Sequence, residues 1–450
     1  MATFGKSEPK VIPLEFSENQ FEIYNKISRN YSHSFLFESL TGPEKLSETS
    51  IMGFDPEIIL RGYSDKIIVQ QKNSDVKVIK TDDPFSALKN FMLTSSDQTY
   101  RYLGGAVGVI NYDAIRLWEK IPNSHNSIEP IMEFGIYKDG ILYDNKQKQL
   151  LYFYYDKDRS NELKISENKY AEFKVSEITP NLDQDKFSEI VNQAKKYIHD
   201  GDIFQSVLSR RFNFNAKGDL LKVYKILRNL NPSPYMYHVK IDNKITIGAS
   251  PEMLIRVTND LVETFPIAGT RKISDNESEN KKLEKELLND EKELAEHTML
   301  VDLGRNDIGR VCRCGTVVVK ELMQVKRFSH VQHMVTHVVG NLDKKYDMFD
   351  AFKAVFPAGT VSGAPKVRAM EIIDELEPES RGPYAGAVGY FSFNGCCDFA
   401  IAIRSIFFDG DKGFVQSGAG IVLDSIPEHE FKETEHKANA MLTALKEASN

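Results

Sequence analysis

Two pairs of glutamates have the spacing of residues that share one face of a helix. Glu293 and Glu296 lie three residues apart in a densely charged segment, and Glu430 and Glu433 repeat this spacing near the end of the chain. Residues three apart on a helix are surface neighbours. The two pairs could therefore meet at one hard cation such as Mg²⁺, which binds few carboxylates and keeps water or substrate oxygens as its other ligands. Two solvated acidic helix faces are the alternative that the spacing leaves open.

Three histidines form a second candidate group because they lie within one short segment. His330, His333 and His337 fall between Ser329 and Val339. A histidine can act as a general base, since its ordinary pKa lies near neutral pH. In a strand His333 and His337 would share a face, and in a helix they would stack one turn apart. A purely structural role for these histidines also stays open.

Three glycine-rich turns could present backbone N–H groups to an anion. They comprise residues 267–270, 358–365 and 418–420. The second turn leads into a predicted helix from Lys366 to Leu376, and the start of a helix binds anions well. The spacing of its glycines is not that of a phosphate loop. A carboxylate is therefore the alternative anion, and ordinary turn formation remains possible.

An arginine near the end of the chain is a candidate for binding a carboxylate. The stretch Phe399–Arg404 predicts a strand in which Arg404 shares a face with Ala400 and Ala402, while Ile403 points the other way. Two alanines leave room beside a guanidinium, which suits bidentate contact with a carboxylate. A surface arginine in a salt bridge is the alternative. Together, the four groups describe a pocket for a small substrate with several carboxylates and a magnesium ion.

Composition narrows the class of protein. The chain has 450 residues, of which 41% are hydrophobic and 27% charged, as is usual for a soluble globular enzyme. Its net charge of -8 argues against a general nucleic-acid-binding protein. No window has the roughly 18 consecutive apolar residues of a membrane span, and Met1–Phe16 lacks the apolar core of a secretory signal. The four cysteines have neither zinc-knuckle spacing nor a disulfide framework. We expect a cytoplasmic protein with reduced thiols, and no nucleic acid or membrane as partner.

The elements that must position these residues follow no regular order. Residues 11–160 are rich in predicted strands, residues 156–182 resemble a linker or lobe boundary, and helical spacing begins again after Asp183. The absence of regular strand–helix alternation favours an α+β fold with large antiparallel sheets. We divide the chain into a β-rich N-terminal regulatory lobe, residues 1–165, and a catalytic lobe, residues 166–450, and expect the sheets of the two lobes to pack together.

Short local signals predict how some strands are connected. The pairs Asp242-Asn243, Asn394-Gly395 and Asp409-Gly410 predict hairpin turns. The segment Gly105-Ala-Val-Gly108, which recurs as Gly386-Ala-Val-Gly389, predicts a buried strand that another backbone approaches closely. The recurrence could mark equivalent strands in two sheets.

A series of longer motifs makes the sequence recognisable. They are Ile203–Arg210, Asn231–Met236, Pro266–Arg271, Glu293–Leu303 continuing through Asp307, Gly359–Lys366, Gly382–Gly389, Ile401–Arg404, Gly418–Gly420 and Glu433–Lys437. With them the chain resembles the large subunits of anthranilate synthase, within the family of chorismate-utilising enzymes. The resemblance covers nearly the whole chain. It implies the two-lobed fold of that family, with large antiparallel sheets flanked by helices.

The resemblance implies a role for each candidate residue. The implied Mg²⁺ ligands are Glu296 and Glu433, with Glu293 and Glu430 beside them. The implied substrate-binding residues are Thr270, Tyr384, Arg404, Gly418, Ala419, Gly420 and Lys437. The implied catalytic residues are Glu252, the general acid that protonates the departing C4 hydroxyl of chorismate, His333, associated with the elimination of pyruvate, and Thr360 on the pocket wall.

The resemblance also implies a reaction, in which chorismate and ammonia give anthranilate and pyruvate at the first committed step of tryptophan biosynthesis. Isochorismate synthases have a lysine that activates water at the place of Gln205, and glutamine has no such basic nitrogen. Aminodeoxychorismate synthases often have a nucleophilic lysine at the place of Ala268. Both positions favour direct attack by ammonia. An aminodeoxychorismate synthase or a non-catalytic regulatory relative is the alternative.

Two partners follow from the same resemblance. No cysteine stands in a nucleophile-elbow setting, so ammonia is expected from a separate glutamine amidotransferase subunit, anthranilate synthase component II. L-tryptophan is the expected feedback inhibitor. Its implied site comprises Glu38, Ser39, Lys45, Pro234, Tyr235 and Met236. The family usually has Arg-Tyr-Ser near residue 48, where this chain has Glu48-Thr-Ser50, and the change from base to acid could weaken that site.

Overall fold

A computed structural model of the chain describes residues 5–16, 18–41, 48–72, 74–125, 128–163, 171–327 and 331–450. Two residues singled out in the sequence, Lys45 of the expected effector site and His330, lie outside the described residues.

The described residues contain nine α-helices. They are α1 (Gln20–Asn30), α2 (Pro84–Ala87), α3 (Gln184–His199), α4 (Leu220–Leu230), α5 (Glu277–Leu288), α6 (Glu291–Gly309), α7 (Met348–Val355), α8 (Lys366–Leu376) and α9 (Pro427–Ser449). The predicted bounds of α8 are confirmed. At the start of α3, the side chain of Asp183 caps the helix by accepting a hydrogen bond from the backbone N–H of Lys186. The charged segment predicted as helical divides at Asn289, where Asp290 caps a new helix, α6.

The described residues also contain twenty-five strands. They are β1 (Lys10–Pro13), β2 (His33–Glu38), β3 (Thr49–Phe54), β4 (Ile58–Gly62), β5 (Lys66–Gln71), β6 (Lys77–Lys80), β7 (Gly105–Ile110), β8 (Met132–Tyr137), β9 (Asp139–Asp144), β10 (Gln149–Tyr154), β11 (Phe173–Val175), β12 (Thr179–Pro180), β13 (Gln205–Gly218), β14 (Tyr235–Ile241), β15 (Lys244–Ser250), β16 (Met253–Thr258), β17 (Leu261–Thr264), β18 (Ile267–Lys272), β19 (Val318–Arg327), β20 (Val331–Asn341), β21 (Gly363–Ala364), β22 (Ala387–Ser392), β23 (Cys397–Ile401), β24 (Ser405–Asp409) and β25 (Lys412–Ile421).

These strands form two large sheets. Sheet I has thirteen strands, with the order β1-β10-β9-β3-β2-β14-β15-β24-β25-β13-β11, and β12 and β21 also pair with β13. Sheet II has twelve strands, with the order β18-β20-β17-β16-β23-β22-β7-β8-β4-β5-β6, and β19 also pairs with β20. The paired strands run antiparallel. The predicted α+β fold with large antiparallel sheets is confirmed.

Both sheets combine strands from the two halves of the chain. In sheet I, β2 pairs with β14, and in sheet II, β7 pairs with β22. Within the predicted linker, the short strands β11 and β12 pair with β13. The boundary placed at residue 165 therefore separates stretches of sequence whose strands share sheets. The division into a regulatory and a catalytic lobe stays a prediction.

The two sheets pack face to face around a common core. Phe35 and Tyr237 of sheet I and Phe399 of sheet II belong to one buried cluster. Their sequence neighbours Leu36 and Met236 belong to another cluster, which contains apolar residues of α1, α4 and α9. Successive side chains of a strand point to opposite faces. Sheet I is thus covered by sheet II on one face and by helices on the other.

The recurring Gly-Ala-Val-Gly segments lie next to each other in one sheet. Strands β7 and β22 are neighbours in sheet II, with Gly108 directly opposite Gly389, so the prediction of equivalent strands in two sheets is wrong. The prediction of a close backbone approach is confirmed, because a Cβ atom on Gly108 would lie 1.9 Å from the carbonyl oxygen of Glu133. The recurrence reflects tight packing of adjacent backbones.

The predicted turns, cysteines and helices can each be checked. Asp242-Asn243 joins β14 to β15, Asn394-Gly395 lies between β22 and β23, and the turn from β24 to β25 follows Asp409. The four cysteines are free thiols. Among the described helices, none has both the length and the apolar character needed to cross a membrane.

Candidate active site

Nearly all the predicted site residues converge on one cavity of about 640 Å³. Its lining includes Glu252, Thr270, Glu293, Glu296, His333, Thr360, Tyr384, Arg404, Gly418, Gly420, Glu430, Glu433 and Lys437. Gln205 and Ala268, which separate the reactions of the family, line it too. The volume is in the range of sites that enclose a small molecule. We refer to this space as the main cavity.

Ala419 is the candidate that does not line the main cavity. Its side chain is buried among apolar residues of α3 and α8, such as Phe187 and Ile372. Gly418 and Gly420, its neighbours on β25, line the cavity instead, because alternate residues of a strand face opposite ways. The Ala419 side chain therefore faces away from the cavity, and the assignment of Ala419 as a substrate-binding residue stays a prediction.

The four glutamates reach the cavity from two helices. Asp290 starts α6 by accepting hydrogen bonds from the backbone N–H groups of Lys292 and Glu293, and Pro427 opens α9. Burial raises the pKa of Glu296, and the charges of Glu293 and Glu433 raise it further. The two helices thus bring their acidic faces together, so the alternative of two separate solvated faces is wrong.

Each of three glutamates also has a polar or basic partner. Gln205 Nε2 donates a hydrogen bond to Glu296 Oε1 at 2.9 Å. Arg271 Nη1 lies 3.1 Å from Glu293 Oε1, and Lys437 Nζ lies 2.6 Å from Glu433 Oε1. Within the described ranges, no three carboxylate, imidazole or thiolate side chains are grouped closely enough to hold a metal. The all-oxygen donors and their mutual repulsion nevertheless fit a hard divalent cation, which needs only one or two carboxylates.

Glu252 is a buried carboxyl group between β15 and β16. Thr360 Oγ1 donates a hydrogen bond to its Oε1 at 2.9 Å. Burial raises the pKa of Glu252 to about 8, although the hydrogen bonds from Thr360 and from the backbone of Ile267, and the charge of Lys437, act the other way. A carboxyl group with this pKa keeps its proton at neutral pH and can serve as a general acid.

His333 lies on strand β20, which confirms the strand alternative for the histidine segment. Its Nδ1 is 3.0 Å from the carbonyl oxygen of Gly269 and 3.0 Å from Thr270 Oγ1. A carbonyl oxygen only accepts, so Nδ1 carries the hydrogen and Nε2 the lone pair. Burial lowers the pKa of His333 to about 4, and the charges of Arg404 and Lys437 lower it too. The neutral imidazole can therefore accept a proton.

His337, on the same strand, has a structural environment. Its ring stacks on Phe265 with 4.1 Å between ring centroids, and its Nε2 is 2.9 Å from Glu263 Oε1. The two histidines thus have different surroundings, because His333 lines the main cavity and His337 packs against Phe265.

The strand predicted through Arg404 ends earlier. Strand β23 stops at Ile401 in sheet II and β24 begins at Ser405 in sheet I, so the chain crosses between the sheets at this point. Arg404 takes a left-handed backbone conformation, with φ of 52°. Ile403 and Arg404 both line the main cavity. The predicted alternation of these two side chains is wrong, because the crossing interrupts the strand.

Arg404 is available for an anionic ligand. Its Nη1 donates a hydrogen bond to the backbone carbonyl of Lys437 at 3.0 Å, and burial lowers its pKa. In the part of the chain that the structure describes, no carboxylate forms a salt bridge with Arg404. Arg404 is half-buried, and a guanidinium withdrawn from water is costly unless an anion compensates it. The alternative of a surface or salt-bridged arginine is therefore wrong.

A second, much smaller cavity of about 50 Å³ contains most of the expected effector residues. Glu38, Ser39, Pro234, Tyr235 and Met236 line it. The carboxylate of Glu38 is directed towards α4, where Arg228 Nη2 lies 2.8 Å from its Oε2 and the Tyr224 hydroxyl 2.7 Å from its Oε1. Glu48, the acidic departure from the family pattern, forms a salt bridge with Arg101 on the cavity wall.

Sequence reasoning missed two ionisable residues of the main cavity, Lys292 and His436. His436 follows Glu433 by three residues on α9, so helical spacing alone predicts that both share a face. Lys292 precedes Glu293 at the exposed start of α6. The sequence pattern there does not distinguish a lysine that lines a cavity from an ordinary solvated lysine.

The sequence model of the chorismate binding enzyme family matches residues 32–443 of this chain. The chain belongs to this family. Anthranilate synthase component 1 of Methanothermobacter thermautotrophicus is 44% identical, with 100% of this chain and 97% of the relative covered. The protein of the same name from Saccharolobus solfataricus is 43% identical, with 97% and 99% covered. Aminodeoxychorismate synthase component 1 of Bacillus subtilis is 38% identical, with 97% and 96% covered.

Solved structures agree with the family assignment. Anthranilate synthase component I of Streptococcus pneumoniae matches with a TM-score of 0.77 at 36% identity, with 88% of this chain and 92% of that chain covered. The menaquinone-specific isochorismate synthase of Escherichia coli matches with a TM-score of 0.76 at 18% identity, with 98% and 95% covered, which shows a shared fold. The predicted resemblance to anthranilate synthase large subunits is confirmed.

Proposed function

We propose that this protein converts chorismate and ammonia into anthranilate and pyruvate, the first committed step of tryptophan biosynthesis, and acts in the cytoplasm. The proposal rests on the main cavity. This single space is lined by Glu252, which keeps its proton at neutral pH, by Arg404 and by four glutamates. Full-length relatives named anthranilate synthase component 1 support the reaction. The free thiols support a reducing compartment.

The cationic and small residues of the cavity would hold the two carboxylates of chorismate. Arg404 and Tyr384 would bind the carboxylate of the enolpyruvyl arm, because a guanidinium suits bidentate contact. Lys437 and the backbone at Gly420 would bind the ring carboxylate. Lys437 Nζ already lies 3.0 Å from the carbonyl oxygen of Gly418, which keeps the ammonium group on this wall.

Glu296 and Glu433 would hold Mg²⁺, with Glu293 and Glu430 beside them. Bound there, the ion would supply positive charge and a template for the ring carboxylate. Each of the two glutamates would give up its present partner to bind the ion. Glu296 would release Gln205 Nε2, which is 2.9 Å from its Oε1, and Glu433 would release Lys437 Nζ, which is 2.6 Å from its Oε1. Lys437 then becomes free to face the substrate.

Glu252 would drive the first chemical step. Its carboxylic proton goes to the C4 hydroxyl, which leaves as water, while ammonia forms a bond to C2. Gln205 Oε1 is buried in the cavity wall without a hydrogen-bond partner among the described residues, so it can accept an N–H of ammonia. Ala268 offers no competing nucleophile on the cavity wall.

His333 would serve in the second step. Its neutral imidazole can accept the proton from C2 while the pyruvate enol departs and the ring becomes aromatic. The carbonyl of Gly269 holds the ring in the tautomer that has its lone pair on Nε2. Because the lowered pKa keeps His333 uncharged at neutral pH, the lone pair on Nε2 is available to accept a proton.

Ammonia would come from a glutamine amidotransferase subunit, since the relatives are named as components of an anthranilate synthase. The test is a fluorescence assay of the purified chain with chorismate, MgCl₂ and ammonium salt, with and without EDTA. Magnesium-dependent anthranilate with equimolar pyruvate is the expected result. A non-aromatic amine that keeps its enolpyruvyl arm would instead establish the aminodeoxychorismate reaction. The Bacillus subtilis relative, which is named aminodeoxychorismate synthase component 1, supports this second candidate. A folded chain that consumes no chorismate would be a binding protein.

Gly420→Ala is expected to weaken chorismate binding. A Cβ atom at Gly420 would lie 2.6 Å from Gln205 Nε2, so the methyl group displaces the amide from Glu296 and occupies the wall meant for the ring carboxylate. We expect the KM for chorismate to rise roughly tenfold, as for other methyl-sized changes in a pocket. Gly309→Ala is the control, since nothing lies within 4 Å of its Cβ. Steady-state kinetics at saturating ammonium decides, and an unchanged KM would contradict the assigned wall.

Tryptophan is the proposed feedback inhibitor at the cavity beside Ser39. That cavity, about 50 Å³, is far below the roughly 300 Å³ of typical ligand sites, so binding must move its walls apart. Ser39→Phe would fill it, and we expect tryptophan inhibition to weaken roughly tenfold or more while ammonia-dependent activity stays normal. Isothermal titration of tryptophan measures this. An active wild-type chain that binds no tryptophan would exclude the effector site.

A further inference from the structure

A narrow cavity lies directly behind Glu252, on the side away from the glutamates. It has a volume of about 30 Å³, and a buried water needs roughly 10–15 Å³ by the same kind of measure. Glu252, Thr360 and Leu300 line both this space and the main cavity. Glu252 therefore forms part of the wall between the two. We call the small space the rear passage.

The rear passage leads from Glu252 to a second buried carboxyl group. Asp307 of α6 lines the passage about 10 Å along the helix from Leu300, which lines both cavities, so we place it at the far end. Apolar side chains such as Leu303 and Val355 also line the passage. Thr264 also lines it, but its hydroxyl already donates to the backbone carbonyl of Leu254 at 3.1 Å. Water in the passage would find acceptors at the two carboxyl groups, which suits a short hydrogen-bonded chain.

The far end of the passage is held by an ion pair close to the surface. Lys366 Nζ lies 2.6 Å from Asp307 Oδ2 and 3.0 Å from the backbone carbonyl of Val355. The Lys366 side chain is 13% exposed. Burial raises the pKa of Asp307, against the opposing charges of Lys366 and Arg310. A carboxylate poised in this way can exchange a proton with solvent and pass it inward.

The reaction creates a need for such a route. If Glu252 gives its proton to the C4 hydroxyl, it becomes a carboxylate and must regain a proton before the next turnover. During the reaction the substrate and its products occupy the main cavity, in front of Glu252. A route through another side of this carboxyl group lets bulk water return the proton before the products have left.

We propose that the rear passage returns the proton to Glu252, with Asp307 as the residue that takes up a proton from solvent and passes it to water in the passage. In each turnover one proton follows this route to Glu252, and one leaves Glu252 in the water formed from the C4 hydroxyl. The ammonium group formed when ammonia bonds to C2 gives up one proton to solvent, so protons balance and no electrons are exchanged. The inference rests on the proposed role of Glu252 as general acid, and it adds a function for Asp307 and Lys366.

Asp307→Asn tests the route, with Asp302→Asn as a matched control. Asp302 lies on the same helix and pairs with Arg305 at the surface at 2.7 Å. We expect Asp307→Asn to lower kcat roughly tenfold or more, to leave the KM for chorismate within about twofold, and to raise the solvent deuterium isotope effect on kcat. Added formate, a small carboxylate that can take the place of the missing carboxyl group of Asp307, should restore part of the rate. A merely structural role of Asp307 would give neither the isotope effect nor the rescue.

A second variant keeps the test valid if the loss of the ion pair disturbs folding. A Cβ atom at Gly304 would lie 3.3 Å from Pro266 Cγ and 3.5 Å from Thr264 Cγ2, and all three residues line the passage. Gly304→Ala therefore narrows the passage without changing charge, and alanine is favoured over glycine within helices. We expect the same lower kcat and larger isotope effect in a chain that remains folded, which thermal unfolding of the variant checks.

Glu252→Gln separates failure of this inference from failure of the proposed function. An inactive Glu252→Gln together with Asp307→Asn and Gly304→Ala variants of wild-type kcat and isotope effect would overturn the rear passage alone. A Glu252→Gln variant that turns over normally would overturn the acid role, and the relay with it.

Discussion

Replacing Glu252 with glutamine is expected to reduce kcat for anthranilate formation roughly 10²–10⁴-fold, the range that general acid catalysis supplies. The amide is nearly the same size and can still accept the hydrogen bond from Thr360, which is 2.9 Å in the wild type. It has no acidic proton for the C4 hydroxyl. We therefore expect chorismate binding to persist while turnover is lost, since the change removes an interaction made in the transition state.

The pH dependence of the wild type gives an independent measurement of the same group. Burial raises the pKa of Glu252 to about 8, above the ordinary value of a glutamate. The acid is active when protonated, so kcat/KM for chorismate should be level at neutral pH and fall as the pH rises through about 8. The same raised pKa makes the free energy of unfolding decrease as the pH rises from the ordinary 4.5 to about 8, because the unfolded chain loses the Glu252 proton at a lower pH than the folded chain does.

The pH experiment needs constant free ammonia. Total ammonium is adjusted at each pH, because the fraction present as ammonia rises with pH and would otherwise mask the decline. Glu252→Gln should show no such decline in its residual rate. Thr360→Ser, which keeps the hydroxyl donor, is a matched control that should retain the wild-type profile. A profile that stays level to well above pH 8 would contradict the assignment of Glu252 as the acid.

The sequence predicted the fold class because antiparallel sheets leave local signals. Asp242-Asn243 and Asn394-Gly395 mark turns whose chemistry is independent of distant contacts. The same logic could not place β2 beside β14 in sheet I. That pairing joins residues far apart in the sequence, and period-two alternation does not specify which strand is the neighbour. The Gly-Ala-Val-Gly segments show the same limit. A repeated sequence does not tell whether two strands are equivalent members of two sheets or neighbours in one sheet.

The chemistry of the site was more predictable than its geometry. Glutamates spaced by three residues predicted a shared acidic face, and the structure brings the two faces together around Glu296. The sequence predicts Arg404 as a carboxylate ligand but does not predict its left-handed backbone, because a chain segment that crosses between sheets has no periodic pattern. Ala419 was assigned by motif, although strand alternation beside Gly418 already predicts that its side chain faces away.

Glu296→Gln is expected to abolish the response to magnesium and to lower kcat/KM roughly 100-fold or more, as a metal ion contributes several kcal/mol of charge stabilisation. Glu296 is the best placed of the four carboxylates for this role. It is 2.9 Å from Gln205 Nε2, and the charges of both Glu293 and Glu433 act on it. Removing its charge relieves this repulsion, so the variant should be no less stable than the wild type while it loses a metal ligand.

Glu291→Gln is the matched control for Glu296→Gln, because Glu291 lies on the same helix, α6, and is exposed. Isothermal titration of Mg²⁺ in the presence of chorismate should give wild-type affinity for this control and no detectable binding for Glu296→Gln. Activity of the wild type should disappear in EDTA and return with added MgCl₂. If Glu296→Gln kept a normal response to Mg²⁺, the ion would be held elsewhere. The repulsion between α6 and α9 would then be balanced by Lys437, 2.6 Å from Glu433, and Arg271 rather than by a metal.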